Sequence, residues 1–469
     1  MSRRKKIVEK VRIEKVADKG KGMGFHDGKV VFVEKTVPGD LVDVRLTRNR
    51  KKFSEGYPLE FHEYSEDRVE PFCEHFGHCG GCRWQNLPYS KQLDYKTQIA
   101  AESMQHIGKL HGLETLPALG AEPERYYRNK LDFTFSDRRW LTQEQVETGE
   151  VFERDALGFH VPRHFDRVLD ISHCHLQPEP SNKIRVFVRK RAIELGIPFF
   201  NPREHTGNMR NLTVRNNRVG DFMVILSIVQ LTAPVKVLLD ELAIEFAEIK
   251  SLFYVENTKG NSTTFDLEMV LHSGVDHITE TLKSPEGPIQ YRIGPKSFFQ
   301  TNPSQTEVLY DLAAKYAEIG PEDRVYDLYT GLGSIALFLA RQAKEVIGIE
   351  LIEDAIADAK VNAELNGIDN CKFFAGDMSK MLTGEFVEEH GNPDVVITDP
   401  PRAGMHPDVV AQLARCGARR IVYVSCNPAT QARDLEGLSE QYIVRKVQPV
   451  DMFPHTFHIE SIAVLDRRD

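Results

Sequence analysis

The stretch Arg324-Val-Tyr-Asp327-Leu-Tyr-Thr-Gly331-Leu-Gly333-Ser-Ile-Ala336 decides the fold, because a short apolar strand runs into a glycine turn and then into a helix-forming segment. That order of elements opens a nucleotide-type fold. Downstream, Glu345-Val-Ile-Gly-Ile-Glu350, Cys371-Lys-Phe-Phe-Ala, Asp394-Val-Val-Ile-Thr and Arg420-Ile-Val-Tyr-Val repeat the apolar-strand signal, each pair separated by enough chain for a helix. Such alternation predicts an α/β domain with a mainly parallel sheet and its site at the strand carboxyl ends. The glycines alone also fit a dinucleotide fingerprint, with Glu350 near the spacing used for ribose. Asp327, four residues before the first glycine, and Asp377 and Asp399 at later strand ends tip the balance. An acidic rim suits a sulfonium cation and is poorly suited to a pyrophosphate.

Further on, Asp399-Pro-Pro-Arg402-Ala-Gly404 is followed by Arg-Ile-Val-Tyr-Val-Ser-Cys426-Asn-Pro, whose cysteine lies about 95 residues beyond the glycine turn. A lone strand-end cysteine is most often a small buried apolar residue. Cys426, set between Asp399 and Glu460, is instead placed for covalent chemistry. Carbon 5 of uracil is too weak a nucleophile to take a methyl group unaided, and a thiolate added to carbon 6 makes it enolate-like. A free thiol titrates near ~8.5, so it needs help to ionise. Asn427 as helix N-cap and Pro428 as first helical residue turn the positive end of a helix dipole toward the sulfur. The tail Asp451-Met-Phe-Pro-His455-Thr-Phe-His458-Ile-Glu460 then enters the strand Ser461-Ile-Ala-Val-Leu. A carboxylate held partly dry at Glu460 accepts the carbon 5 proton, with His455 and His458 shaping the pocket.

These two signatures, with Val422-Tyr-x-Ser-Cys426-Asn-x-x-Thr430 and Asp451-x-Phe-Pro-His-Thr-x-His-x-Glu460 matching residue for residue, resemble the RNA uracil-5 methyltransferases that use S-adenosylmethionine. The resemblance implies a Rossmann-like methyltransferase domain, Cys426 as nucleophile and Glu460 as base. It also implies Gln300 of Phe-Phe-Gln-Thr-Asn, Tyr329, Glu350, Asp377 and Asp399 as cofactor contacts. Ser334 joins them at a position where related enzymes often carry asparagine. Two other readings compete. Methylation of an exocyclic amine fits Asp-Pro-Pro, but it needs no thiol and favours an aromatic where Arg402 stands. A non-catalytic RNA-binding or ribosome-assembly factor would keep the cofactor fold without the reaction.

The chain's 469 residues, 41% hydrophobic and 28% charged, give room for about three domains. We expect divisions at 1–62, 63–290 and 291–469, with Lys283-Ser-Pro-Glu-Gly-Pro as the strongest boundary signal. No apolar run approaches a membrane span and no secretory signal opens the chain, so a cytoplasmic monomer is expected. A net charge of -9 excludes whole-surface attraction to nucleic acid, leaving local patches. Residues 1–60 supply one, with 16 Lys and Arg against 9 Asp and Glu. Arg3-Arg4-Lys5-Lys6 reads as a solvated tail. Beyond it, short β-branched strands and turns predict a small barrel that resembles a TRAM domain, an OB-like RNA-binding module. Lys21, Arg45, Arg48, Arg50, Lys51 and Lys52 are its expected backbone contacts.

Between barrel and cofactor domain lies a mixed α/β region, with an amphipathic helix from Asp94 and strands near Tyr127, Leu212 and Asp221. Arg128 and Lys130 sit there as possible phosphate ligands, though alternation alone puts charges on a solvated face. The region opens with Cys73-x5-Cys79-x2-Cys82 and later carries Ser-His173-Cys174-His175. Seven cysteines in this pattern suit metal and catalysis in a reducing compartment. Three thiolates on one loop and a distant fourth predict a metal centre, with zinc open from spacing alone. Resemblance to the ribosomal-RNA members of the family implies a [4Fe-4S] cluster on Cys73, Cys79, Cys82 and Cys174, with a structural or RNA-facing role. It likewise implies 23S ribosomal RNA as substrate in preference to transfer RNA.

Overall fold

A computed structural model describes residues 6–469; the basic residues Arg3, Arg4 and Lys5 lie outside that range. The chain gathers into two compact units, one of residues up to Gly77 with Gly81–Ala121 and Asp399–Asp469, the other of His78–Gly80 with Glu122–Thr398.

The first unit begins with a closed five-strand barrel. Its strands follow the order Ile7–Ala17, Lys21–His26, Lys29–Val33, Phe53–Glu63, Leu41–Asn49. Alternation decides what faces inward: Val42, Val44 and Leu46 point into the core with Val8, Val11, Ile13, Val31 and Val33, and the residues between them face out. Closure brings strands so near that a Cβ at Gly24 would lie 2.1 Å from the Arg12 carbonyl oxygen. The rest of the unit contains the helix Tyr89–His106, longer at both ends than its periodicity predicts. Beside it run strands in the order Arg420–Ser425, Glu460–Arg467, Tyr442–Val450, Glu114–Thr115. The first two junctions are antiparallel and the last is parallel. Helices Pro407–Arg415 and Pro428–Leu438 complete it.

The second unit holds an eight-strand mixed sheet, built around the antiparallel pair Met209–Asn216 and Phe222–Ile228. Helices Ser181–Glu194 and Ala233–Glu245 belong to the same unit. The Pro and Gly segment near Ser284 forms the turn of a tight hairpin, Ile278–Ser284 with Gly287–Ile293, rather than a linker. Four parallel strands follow in the order Cys371–Ala375, Glu345–Glu350, Arg324–Leu328, Val395–Thr398. The last three are buried almost continuously, as a sheet covered on both faces requires, while the edge strand Cys371–Ala375 buries only Phe373. No helix among the described residues is long and apolar enough to cross a membrane.

Candidate active site

Within the first unit, the strand Arg420–Ser425 delivers Cys426 at its carboxyl end and the next residue starts a helix. Asn427 caps that helix by accepting a hydrogen bond from the Ala429 N–H at 3.1 Å, and Pro428 occupies its first turn. The same Asn427 donates from Nδ2 to the Arg402 carbonyl at 3.0 Å, and the Thr430 hydroxyl donates to that carbonyl at 3.2 Å. The spacing of Arg402, Asn427 and Thr430 is therefore the spacing of a latch between two loops. Gly404 completes it. With φ at +77°, its place has no room for a side chain, because a Cβ would sit 2.5 Å from Arg433 Nη2 and 2.6 Å from Asp434 Oδ2. Asp434 in turn accepts from the Met405 N–H and the Tyr423 hydroxyl.

Electrostatics brings Cys426, Glu460, Asp399 and Arg402 into one site. Burial pushes the Cys426 thiol up to about 11, the Glu460 and Asp399 carboxylates push the same way, and Arg402 opposes them by its charge and by a hydrogen bond to the sulfur. The N-cap helix is present as the sequence predicts, while burial and the two carboxylates push the thiol toward its neutral form. Glu460, the first residue of its strand, is buried, and its carboxyl is pushed well above the usual range by burial and then by Asp399. Its Oε2 is enclosed without a hydrogen-bond partner. A dry carboxyl with an unfilled acceptor beside a protected thiol is equipped to take a proton from a bound substrate. Arg402 is the residue that sequence reasoning missed. It stood in the quoted signature, where a lone cation beside two acids and a cysteine was the available signal.

Within the second unit, three adjacent parallel strands end in Asp327, Glu350 and, two residues past the strand, Asp377. The glycine turn is shaped by left-handed Tyr329 (φ 65°), Gly331 and Gly333. Its amides are held from below: the Tyr329 and Thr330 N–H groups donate to the Ile349 carbonyl, and the Gly331 N–H donates to Glu350 Oε2 at 3.2 Å. Asp327 is buried under this turn instead of forming its rim, and accepts from the Thr330 hydroxyl and from the Ala336 N–H at 3.0 Å. Burial pushes its carboxyl up to about 7 and leaves Oδ1 without a partner. Ser334 Oγ accepts from the Tyr310 hydroxyl at 2.9 Å. Asp377 is exposed and caps its short helix through the Ser379 N–H. Gln300 is buried, and its loop is pinned by Asn129, which donates from Nδ2 to the Gln300 carbonyl at 3.1 Å and from its own N–H to the Thr301 carbonyl at 2.8 Å. Nothing in the sequence marks Asn129 for that task, since the two loops are some 170 residues apart.

No disulfide joins any of the seven cysteines, all of which are among the described residues. In the first unit, Cys73 is half-buried with its thiol pushed up by burial, and its N–H donates to Gln85 Oε1 at 3.2 Å. In the second, buried Cys174 donates its N–H to Asn182 Oδ1 at 2.7 Å, while His173 and His175 both engage the Tyr126 hydroxyl. On the barrel, Arg48, Arg50, Lys51 and Lys52 are exposed at one hairpin, with Arg48 over the Phe53 ring, whereas Lys21 is partly committed to Glu55.

Comparison with known proteins supplies the class first. An RNA methyltransferase of Bacteroides thetaiotaomicron is 48% identical over 97% of this chain and 100% of that relative, and one of Chlorobaculum tepidum is 38% identical over 99% and 98%. The crystal structure of Pyrococcus abyssi tRNA (uracil-54, C5)-methyltransferase in complex with S-adenosyl-L-homocysteine superposes with a TM-score of 0.74 at 27% identity, covering 97% of this chain and all of that one. Family models for tRNA (uracil-5-)-methyltransferase and the TRAM domain match residues 267–468 and 7–59. The chain belongs to the RNA (uracil-5-)-methyltransferase family, as an S-adenosylmethionine-dependent enzyme with an N-terminal TRAM barrel.

Proposed function

We propose that this enzyme methylates carbon 5 of a uridine in structured RNA through a transient bond between Cys426 and carbon 6, with Glu460 as the base. The observation that carries the reading is the Glu460 carboxyl, buried with Oε2 unfilled and sharing its electrostatic surroundings with the Cys426 sulfur. The target base leaves its stack to reach the sulfur. The Cys426 thiol loses its proton to solvent, and Arg402 stabilises the resulting thiolate as it adds to carbon 6, the new C–S bond placing an electron pair on carbon 5. S-adenosylmethionine supplies an electrophilic methyl group for that carbon. Glu460 then takes the carbon 5 proton, and the returning electron pair expels Cys426 as thiolate. The upward push on Glu460 suits this role, because a carboxylate with a raised pKa is the stronger proton acceptor.

Gln300, Tyr329, Ser334, Glu350, Asp377 and Asp399 are the proposed cofactor contacts. A [4Fe-4S] cluster, or zinc, is the proposed structural element, with Cys73, Cys79, Cys82 and Cys174 as its proposed ligands, since thiolates are the soft donors such groups take. The proposed division is an RNA-binding TRAM barrel over 1–62, a central region with the metal-cluster cysteines over 63–290 and the methyltransferase domain over 291–469, in a cytoplasmic monomer. A 23S ribosomal RNA is the proposed substrate. Transfer RNA is the second reading, favoured by the full-length likeness to the archaeal enzyme. Incubation with labelled methyl donor and separate ribosomal and transfer RNA pools, followed by mapping of the label, decides between them. Cys426→Ala should abolish both methylation and the adduct with 5-fluorouridine RNA; retained methylation would overturn the covalent mechanism.

A further inference from the structure

The segment 451–459 that leads into Glu460 has no helix or strand of its own, yet its first half, from Asp451 to His455, is tied to side chains of the helix Tyr89–His106. Lys96 Nζ lies 2.6 Å from Asp451 Oδ1, both side chains are fully buried, and the same ammonium donates to the Phe453 carbonyl at 3.2 Å. Asp451 also accepts from the Phe453 N–H at 2.9 Å and from the Tyr89 hydroxyl at 3.0 Å. A turn away, Gln92 Oε1 accepts from the His455 N–H at 2.9 Å, and Gln92 Nε2 sits 3.2 Å from His455 Nδ1. Tyr89, Gln92 and Lys96 fall at helical spacing on one face. His455 is left-handed at φ 65°, a conformation a non-glycine residue keeps only when its surroundings hold it there.

An ion pair out of water gains little stability over a well-packed apolar pair, so its use here points to a demand for one geometry. That geometry is the approach of the chain to Glu460, five residues past His455. We propose that Lys96, Gln92 and Tyr89 are positioning residues for Glu460, fixing its carboxylate for removal of the carbon 5 proton. The proposal rests on the reading of Glu460 as the base. It has a consequence that a merely structural role does not. Thiolate addition and methyl transfer precede the proton step, so a loosened base lets both proceed and stalls the enzyme as a methylated covalent RNA complex.

The test compares Glu460→Gln, Lys96→Met with Asp451→Asn, and Gln92→Leu, each with uridine RNA and methyl-labelled donor. Melting temperature, kcat, KM for RNA and the labelled protein–RNA band on a denaturing gel are read together. For the brace variants kcat should fall about 10- to 100-fold, KM should stay within about 2-fold, and the labelled band should accumulate as it does for Glu460→Gln. If Glu460→Gln shows no band, the base reading and the brace fall together. If Glu460→Gln stalls while Gln92→Leu and the Lys96 variant turn over without the band, or lose adduct and melting temperature in parallel, the brace alone is refuted. Should the Lys96 variant not fold, Gln92→Leu decides.

Discussion

Replacing Arg402 by glutamine should make Cys426 harder to ionise, and the size of the effect follows from the site. The thiol stands at about 11 with Arg402 in place, against three contributions that raise it: burial, Glu460 and Asp399. A hydrogen bond to a charged group contributes about 1.5–3 kcal/mol, and 1.36 kcal/mol is one pKa unit. Cys426 is only half-buried and Arg402 is exposed, so solvent screening favours the lower end. A rise of roughly one unit, and therefore about tenfold less thiolate near neutrality, is expected. Iodoacetamide labelling of the protein alone, read at Cys426 by peptide mass spectrometry from pH 7 to 10, measures it directly. The parent should label roughly a hundredfold or more below an ordinary thiol at pH 8 and climb tenfold per pH unit, since free thiols titrate near ~8.5. Cys371, pushed up to about 12, is an internal standard that Arg402→Gln should not move. A labelling plateau below pH 8, or equal rates with and without the guanidinium, would refute the reasoning.

Asp399→Asn removes a charge that raises both Cys426 and Glu460, so the same labelling should become faster at Cys426 even as methylation falls. Asp327 gives a stability test. Its folded value of about 7 lies above the ordinary 3.8, so its contribution is complete below about pH 4 and lost as pH rises through 7, on the order of a few kcal/mol. Asp327→Asn should flatten that part of the urea-midpoint profile between pH 4 and 8. Gly404→Ala, strained at positive φ and crowded by Arg433 and Asp434, should lower stability by about 1–3 kcal/mol and reduce Arg402's effect on the thiol. On the barrel, Arg48→Ala with Lys51→Ala and Lys52→Ala should raise KM for RNA, leave kcat unchanged, and reduce the salt slope of binding by about 2.

The parallel strands and the barrel were legible because burial imprints directly on composition: Val-Val-Ile and Val-Tyr-Val runs admit little but a covered sheet, and alternation at Leu41–Asn49 fixes which side faces in. The barrel's fifth strand, Phe53–Glu63, escaped, since Gly56 and Pro58 argue against a strand locally and only closure against Leu41–Asn49 and Lys29–Val33 makes one. Cys426 and Glu460 could be picked out by residue type and setting, but their ionisation could not. The N-cap at Asn427 gives a local reason to lower the thiol, whereas burial, Glu460 and Asp399, which raise it, are properties of the folded site that no linear reading supplies. Asp327 shows the same limit from the other direction: an acid at a strand end reads as rim, and only packing reveals that it lies beneath the turn.

Cys426 and Glu460 are both held toward their neutral forms, the thiol by burial, Glu460 and Asp399 and the carboxyl by burial and Asp399, with Arg402 opposing in each case. A neutral thiol reacts with electrophiles and oxidants more slowly than an exposed thiolate does. The methyl donor is a sulfonium cation, and a cation favours the anionic form of every group it approaches. On the roles proposed for Cys426 and Glu460, a bound donor would therefore favour the anionic form of both groups. Iodoacetamide labelling repeated with S-adenosylmethionine and with its neutral-sulfur product isolates that effect. The cationic donor should shift the Cys426 profile to lower pH than the product does, and coincident profiles would show that burial alone governs the thiol.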